Sequence, residues 1–353
     1  MIRTVARGAF ALVLMAVVVE ASAQPPVVPD KVYYRDKKDG AVRSADGDLK
    51  PAPAGFQLTV DKKPLVISPF DIIRVVPGDA PPLDRKDILA QVALEERKEW
   101  GKARDGYDAM KKAAKAPPEK TSRFLEFKLA YASARAADEA KDVEGWTPRA
   151  EEALGRLDSF LAGTPGGWEA WAAAQTAASL QVELGKFAEM GSMWGRMAKD
   201  APGDLKNEAL LNEIDAKLRA KRFDEVKGLA DKQFAAVAPG PMKQKLAIYQ
   251  IAGAKGQIAA AEGVSLIEAE IAKTQDASIR ATGYSVIGEL HLAAEKPRDA
   301  MWAYLWVEVV YNQDKDDVLT ALVRLAKVFA DQGDEERSKA YREKARRLRA
   351  AQG

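Results

Sequence analysis

The stretch GYSVIGELHLAAEKPRDAMWAYLWVEVVYNQD, residues 283–314, indicates the fold more clearly than any other part of the chain. Its first half places apolar residues at helical spacing, and the turn Glu295-Lys296-Pro297 interrupts the pattern. Its second half resumes the same spacing. Small and large residues alternate at fixed offsets, as they must when side chains of one helix enter gaps on the next. The stretch therefore predicts two helices joined by a short turn.

The same helix-turn-helix signal recurs along residues 84–350. Short turns follow one another at intervals of 36, 34, 40 and 38 residues. Breaks marked by proline or polar residues lie between them, at intervals of 48, 37, 37, 36 and 39 residues. Two interleaved series with one period predict a stack of about seven helical hairpins, each burying its apolar face against its neighbours. The turns begin at Gly185, Lys221, Lys255, Glu295 and Gly333, and the breaks lie at Pro117, Pro165, Pro202, Pro239, near Gln275 and near Asp314.

Two hairpins carry a specific residue pattern. The first has Tyr284, Ile287, Gly288 and His291 before Ala300, Tyr304 and Val307, and the second has Leu322, Leu325, Ala326, Phe329 and Gly333. The pattern resembles the tetratricopeptide-repeat family, whose unit pairs two helices over about 34 residues. The resemblance implies a right-handed α-solenoid over residues 84–353. It also implies a non-enzymatic scaffold or adaptor that holds a protein or peptide in a concave groove lined by the first helices.

A small β domain is predicted at residues 24–76. Short β-favouring runs are separated by Asp-Gly turns, and Phe56, Leu58 and Val60 alternate with polar neighbours as in a half-buried strand. Residues 68–71 have the pattern of a single helical turn capped by Ser68. Five short strands with one helical turn before the last resemble a small SH3-like barrel. Residues 77–83, rich in proline and glycine, are predicted to link this domain to the helices.

The first 23 residues have the pattern of a secretory signal peptide. Arg3 and Arg7 form the charged end, Ala9–Val19 the apolar run, and residues 21–23 a small-residue cleavage site. The apolar run is shorter than the roughly 20 residues that a membrane-spanning helix needs. We therefore expect an exported protein of bacterial type, periplasmic or secreted, with no membrane span after signal removal.

Composition excludes several kinds of site. The 353 residues include no cysteine and one histidine, which excludes disulfides, thiolate metal sites and multi-histidine metal sites. Lys and Arg number 54 against 52 Asp and Glu, so charge gives no reason to expect nucleic acid as the partner. We expect no cofactor and no metal, and a protein or peptide of the cell envelope as the partner; the oligomeric state is left open.

An enzymatic function is the alternative to a scaffold, and a histidine-dependent mechanism would have to use His291. A catalytic triad would need this residue, yet it occupies a core-facing repeat position, where a structural role is more common. A carboxylate-only enzyme stays possible in principle, because it needs two acidic side chains facing one cleft. The sequence therefore predicts no enzyme and no catalytic residue.

Groove residues are predicted from their positions on the first helices. Polar side chains at those positions would face a bound partner. The Lys and Asn pattern with which some tetratricopeptide-repeat proteins clamp a terminal carboxylate is not evident. The candidates are Gln175, Ser179, Asn212, Asp215, Ser285, Glu289, Arg324 and Lys327.

Two further features leave alternatives open. Trp302 and Trp306, four residues apart in the most apolar segment after the signal peptide, either pack between repeats or form an aromatic surface patch for a partner. The basic last helix, residues 335–350, either caps the stack with a polar face or contacts an acidic envelope polymer. The second option gives the alternative function: binding of cell-wall glycan or another envelope polymer through the β domain and the basic tail.

Overall fold

The computed structural model describes residues 29–36, 38–52, 55–60, 62–78, 80–140, 143–163, 166–201 and 203–351. The predicted signal peptide and the predicted breaks at Pro165 and Pro202 lie outside these residues. Within them, six strands precede fourteen helices arranged as seven antiparallel hairpins. This arrangement confirms the predicted fold class, a mostly α solenoid of about seven hairpins preceded by a small β domain.

The β domain consists of two antiparallel three-stranded sheets, with strand orders β2-β1-β6 and β3-β4-β5. A 3-10 helix at Pro69–Asp71 precedes the last strand, and Ser68 caps it by accepting the Phe70 N–H at 3.4 Å. The sequence predicted five strands; the sixth is a three-residue strand whose proline and short length give almost no β pattern. The strands are β1 Lys31–Arg35, β2 Val42–Asp46, β3 Lys50–Ala52, β4 Gly55–Val60, β5 Lys63–Ile67 and β6 Ile72–Val76.

The helices pair in chain order, α1 with α2 through to α13 with α14, and the odd-numbered helix comes first in each hairpin. Among the helices in the described part of the chain, none is long and apolar enough to cross a bilayer. The helices are α1 Arg85–Glu96, α2 Trp100–Ala113, α3 Glu119–Ala137, α4 Val143–Gly163, α5 Trp168–Leu184, α6 Phe187–Asp200, α7 Gly203–Arg219, α8 Phe223–Ala236, α9 Pro241–Gly253, α10 Ala260–Ala272, α11 Ala277–Ala293, α12 Pro297–Val309, α13 Lys315–Asp331 and α14 Glu335–Ala351.

One backbone cap recurs at the turns inside the hairpins. In five of the seven described hairpins, the residue one or two positions after the first helix has a left-handed φ, and the next N–H donates to the carbonyl five residues earlier, as in Lys296 to His291 at 2.9 Å. Glycine adopts this φ freely, whereas lysine or glutamate is strained there. The cap explains most of the periodic turn signal. The left-handed residues are Lys98 (58°), Gly185 (71°), Lys221 (60°), Glu295 (57°) and Gly333 (79°).

Glycine also permits close approach between neighbouring helices. A Cβ on Gly288 would lie 2.6 Å from the ring of the fully buried Tyr304, which belongs to the second helix of the same hairpin. A Cβ on Gly253 would lie 2.6 Å from the backbone nitrogen of Lys227 in the preceding hairpin. The buried apolar residues form five clusters. This distribution is typical of a stack stabilised hairpin by hairpin.

The last hairpin folds back onto the second and third. Arg349 of α14 is 3% exposed and donates to Asp138 at 2.5 Å and to Glu183. Its carbonyl accepts from Arg135 of α3 at 2.7 Å, and α13 contacts α5. The sequence predicted a concave groove lined by the first helices. In the structure, contacts between residues more than 160 positions apart close the curve and enclose part of this inner surface.

The β domain packs on the first half of the stack. All but one of its buried apolar strand residues belong to the same apolar cluster as α3, α4, α5 and α6, and Val76 packs with α1, α2 and α3. Phe70 meets Trp171 of α5 edge to face at 5.7 Å, and Asp30 accepts from Lys120 of α3 at 3.0 Å. The β domain therefore shares its core with the helices.

Candidate binding site

A central cavity of about 750 Å³ lies where the β domain meets the two ends of the stack. Its walls are the outer face of the sheet β2-β1-β6, the turn between α1 and α2, and the inner faces of α3 and α5. The start of α13 and the end of α14 complete it. The volume falls within the range of about 300–1,000 Å³ typical of ligand sites. Folding back of the last hairpin therefore creates a binding-sized space.

Aromatic and aliphatic side chains form the apolar part of the cavity wall. Trp100 and Tyr131 meet edge to face at 5.8 Å, and Phe127 lies 5.7 Å from Tyr131. The sheet contributes Val42 and Ile73, whose side chains are 62% and 48% exposed. Apolar groups left accessible inside a concave surface are available to a ligand.

Charged side chains form a second part of the wall. Seven are basic and five are acidic, which leaves an excess of positive charge. Three basic residues pair with wall carboxylates and four make no ion pair within the described part of the chain. The pairs are Arg74 with Glu96 at 2.7 Å, Lys128 with Glu95 at 2.9 Å and Arg349 with Asp138 at 2.5 Å; the four others are Arg35, Lys98, Arg135 and Lys315.

Arg135 is the most deeply placed of these four cations. Its side chain is 9% exposed and its guanidinium lies over the Tyr131 ring at 5.1 Å. One Nη donates to the Arg349 carbonyl and the other to the Tyr131 hydroxyl at 3.0 Å. Its Nε, also buried, has no hydrogen-bond partner among the described residues. The wall thus holds a buried cation with unused donor capacity.

A second buried group at the cavity, the carboxylate of Glu95, is held by hydrogen bonds within the protein. Glu95 accepts from Lys128 and from the hydroxyl of Tyr107 at 2.8 Å. Burial raises the pKa of Tyr107 well above its ordinary value, and the charge of Glu95 adds to this effect. Tyr107 therefore stays a neutral donor, and the cluster stabilises the junction of α1, α2 and α3.

Two of the predicted groove residues line the cavity. Gln175 and Ser179 lie on the inner face of α5, one turn apart, and both are half-buried. The Ser179 hydroxyl donates to the Thr176 carbonyl at 2.8 Å. Both residues were predicted because they lie on the first helix of a hairpin.

Three other predicted groove residues meet in a buried network. Arg219 of α7 joins Asp215 at 2.6 Å to Glu289 of α11 at 3.0 Å. Glu289 also accepts from both sides of the Arg324 guanidinium at 2.8 Å and from the Tyr304 hydroxyl at 2.8 Å. These side chains satisfy one another, so this part of the inner surface is filled.

The remaining three predicted groove residues belong neither to the cavity wall nor to the buried network. Asn212 is half-buried, and Ser285 is buried with its hydroxyl unpartnered among the residues that the structure describes. Lys327 is exposed and pairs with Asp331 at 3.2 Å. It borders a second crevice, of about 590 Å³, where α13 and α14 face α4 and the turn between α5 and α6.

An acidic group on α13 has an unusual environment that the sequence did not reveal. Burial, reinforced by the charges of Asp314 and Asp215, raises the pKa of Asp317 to about 7, against opposing effects of Lys245 and Arg219. The acidic residues around it have the sequence pattern of a polar turn between two hairpins. Asp314 caps α13 by accepting two backbone N–H groups, which agrees with that interpretation.

The structure places both tryptophans of the predicted patch at the surface. Trp302 is 57% exposed and Trp306 is 44% exposed. The Trp306 ring stacks on Tyr284 at 5.5 Å and lies 6.2 Å from Tyr311. The two indoles lie on a second helix, so they belong to a different surface from the cavity.

His291 and the basic tail take part in packing contacts. Burial lowers the pKa of His291, which is half-buried on α11. Arg346 and Arg349 of the last helix both face Glu183 of α5, and Lys344 pairs with Glu308 at 2.9 Å. Part of the basic charge on the tail is therefore used inside the molecule.

The cations of the cavity wall were not predicted from the sequence. Lys128 and Arg135 are seven residues apart, two helical turns, in residues 127–137 of α3, where the other side chains are apolar or aromatic except for Ser133. Charged residues on the buried face of an amphipathic helix are the signal that could have found them. In the part of the chain that the structure describes, no group of three or more acidic or histidine side chains could hold a metal ion.

Comparisons with known proteins give likenesses to solved structures only. No protein family matches the sequence, and no curated protein matches it either. Among solved structures, a tetratricopeptide repeat protein from Parabacteroides merdae is similar, with 16% sequence identity and a TM-score of 0.44. The match covers 74% of this chain and 92% of that chain.

Proposed function

We propose that this protein is a non-enzymatic scaffold or adaptor of the bacterial cell envelope, which holds a segment of a partner protein in the central cavity. The observation that carries the proposal is the cavity itself, which combines exposed apolar residues with cations that lack carboxylate partners. Such a surface suits a polypeptide, which offers apolar and polar groups together.

The chemistry of the wall favours binding over catalysis. Of the five wall carboxylates, Glu95 and Asp138 have buried side chains, and each is held in an ion pair, with Lys128 and Arg349 respectively. A general acid or base needs a side chain free to exchange a proton with a substrate. These two carboxylates instead stabilise the junctions between helices.

The β domain supports the proposal as one wall of the site. Its two strand orders and the 3-10 helix before the last strand agree with the SH3-like interpretation, which stays a proposal. Export rests on the sequence pattern of residues 1–23. We favour a protein partner over an envelope polymer because Arg346, Arg349 and Lys344 of the basic tail face carboxylates within the chain.

Site-specific photocrosslinking tests the proposal. A photoreactive residue replaces Gln175 in the cavity or, as a matched control, the exposed Lys232 on α8. After irradiation of envelope extract, we expect a discrete crosslinked protein from position 175 and none from position 232. Absence of any crosslink at position 175, with the variant folded by circular dichroism, would contradict the proposal.

A further inference from the structure

The cavity borders an outer strand of a sheet, β2, which has one neighbouring strand among the described residues. β2 is the outer strand of its sheet, its residues are exposed or half-buried, and its first residue, Val42, lines the cavity. The outer strands of the other sheet, β3 and β5, contain Pro51 and Pro64, which lack an N–H. Proline is a common guard of exposed edges, and β2 has none. β2 can therefore pair with an extended chain.

The charge around the cavity indicates an acidic ligand. Arg35 and Lys98 lie on the wall beside β2, and Arg135 lies deeper on α3; none has an ion pair within the described chain. Burying a cation without a counter-ion is costly, and a carboxylate from a ligand would compensate.

The end of α14 satisfies only some of the hydrogen-bond donors of Arg135. Its Nη1 donates to the carbonyl of Arg349, in the last turn of that helix, where the backbone dipole is negative. This contact leaves the Nε of Arg135 without a partner, and the buried Nε of Arg74, on the same wall, also lacks one among the described residues. Both side chains belong to the same wall, which therefore holds two arginines with donor capacity that the described residues leave unused.

The apolar part of the wall indicates a second property of the ligand, which is the presence of large apolar side chains. Val42 and Ile73 stand exposed on the sheet face, opposite Trp100 and Tyr131. In an extended chain, alternate side chains point to opposite sides. A segment in which acidic and large apolar residues alternate would place each kind against its matching wall.

We propose that the central cavity and the free edge of β2 bind an extended acidic segment of a partner protein. The carboxylates of the segment face Arg35, Lys98 and Arg135, and its apolar side chains contact Val42 and Trp100. This inference rests on the proposed function and narrows it to one chemical class of partner segment.

A matched peptide pair tests the charge requirement. One labelled peptide alternates Glu with Val and Phe, and its control replaces every Glu by Gln. By fluorescence anisotropy at low ionic strength, we expect the Glu peptide to bind the mature chain at least about tenfold more tightly. Added salt should reduce this difference, since exposed charges are screened. Equal affinity for the two peptides overturns the inference.

A matched pair of double variants tests the location. Arg35→Gln with Lys98→Asn removes two exposed cations of the wall, and Asn tolerates the left-handed φ at position 98. Lys339→Gln with Arg347→Gln makes the same charge change on the exposed face of α14. We expect at least about tenfold weaker binding of the Glu peptide by the first double variant and no change by the second. Equal losses in both overturn the inference.

Hydrogen exchange and competition complete the test. The bound Glu peptide should slow amide exchange in β2, Val42–Asp46. Unchanged exchange there overturns the inference, as does displacement of the peptide by an equal concentration of inorganic phosphate, which would show a simple anion site. If position 175 crosslinks a partner but the Glu peptide has no advantage, the proposed function stands and this inference fails. If position 175 crosslinks nothing, the proposed function itself fails.

Discussion

Contacts between neighbouring helices and contacts across the interior differ in chemistry. Neighbours pack through small and apolar residues, as where Gly288 lies against Tyr304. Distant helices meet through charged side chains, as where Arg349 joins Asp138 and Glu183. Apolar packing tolerates small shifts, whereas a buried ion pair requires one geometry. The comparison suggests that local packing forms the stack and that a few charges close it.

Glu289 should give the largest effect, because it connects α7, α11, α12 and α13. Glu289→Ala leaves the buried Arg219 and Arg324 without this carboxylate. We expect the free energy of unfolding, measured by urea denaturation, to fall by about 3–5 kcal/mol. The exposed Glu268→Ala is the control and should change it by less than about 0.5 kcal/mol. A small effect of Glu289→Ala would show that the network adds little stability.

Arg349→Ala should separate the last hairpin from the second and third hairpins while each hairpin stays folded. It leaves Asp138 and Glu183 without their main partner, so we expect a loss of about 2–4 kcal/mol. Spin labels on cysteines introduced at the exposed Arg149 and Arg347 would report a longer, broader distance by pulsed EPR. An unchanged distance would contradict the role of Arg349. The control, Lys339→Ala on the same helix, should leave the distance unaltered.

Gly288→Ala tests neighbour packing directly. The added methyl would overlap the Tyr304 ring, and we expect thermal and urea unfolding to show a loss of about 1–3 kcal/mol. Gly228→Ala, on α8, adds the same methyl where no atom lies within 4 Å. It should stabilise the protein by about 0.5–1 kcal/mol, since alanine favours helix. Equal effects of the two substitutions would contradict close packing at Gly288.

Asp317 should make the interior sensitive to pH. Its pKa is raised to about 7, so the folded state binds this proton more tightly than the unfolded chain. This contribution to stability is present at low pH and is lost as pH rises from about 4 to about 7. At pH 8 we expect Asp317→Asn to stabilise the fold by about 1–2 kcal/mol, with less effect near pH 4. An effect of equal size at both pH values would show that the raised pKa of Asp317 is not the cause.

Glu295→Gly should give the smallest effect. The left-handed φ of 57° at this turn strains glutamate and suits glycine. We expect a gain of about 0.5–1 kcal/mol in the free energy of unfolding. Gly185→Ala, at the equivalent turn of the third hairpin, should lose a similar amount. A loss on Glu295→Gly would show that the side chain contributes more than the backbone strain costs.

Residue spacing was sufficient to predict the hairpins but only part of the candidate site. Gly333 and Glu295 mark turns that every hairpin must make, so their period is visible in the sequence. Gln175 and Ser179 were predicted from their place on a first helix, and they line the cavity. Arg135 and Lys98 were not predicted, because their shared wall depends on the β domain and the last helix lying beside α3.

The sequence by itself determined the stack, because each hairpin buries its apolar face against residues close to it in the chain, and such contacts recur with one period. The tertiary structure alone decided where the stack closes and which side chains face the enclosed space. The contact of Arg349 with Asp138 joins residues 211 positions apart. No repeat carries the signal for such a contact, since it depends on the accumulated curvature of seven hairpins.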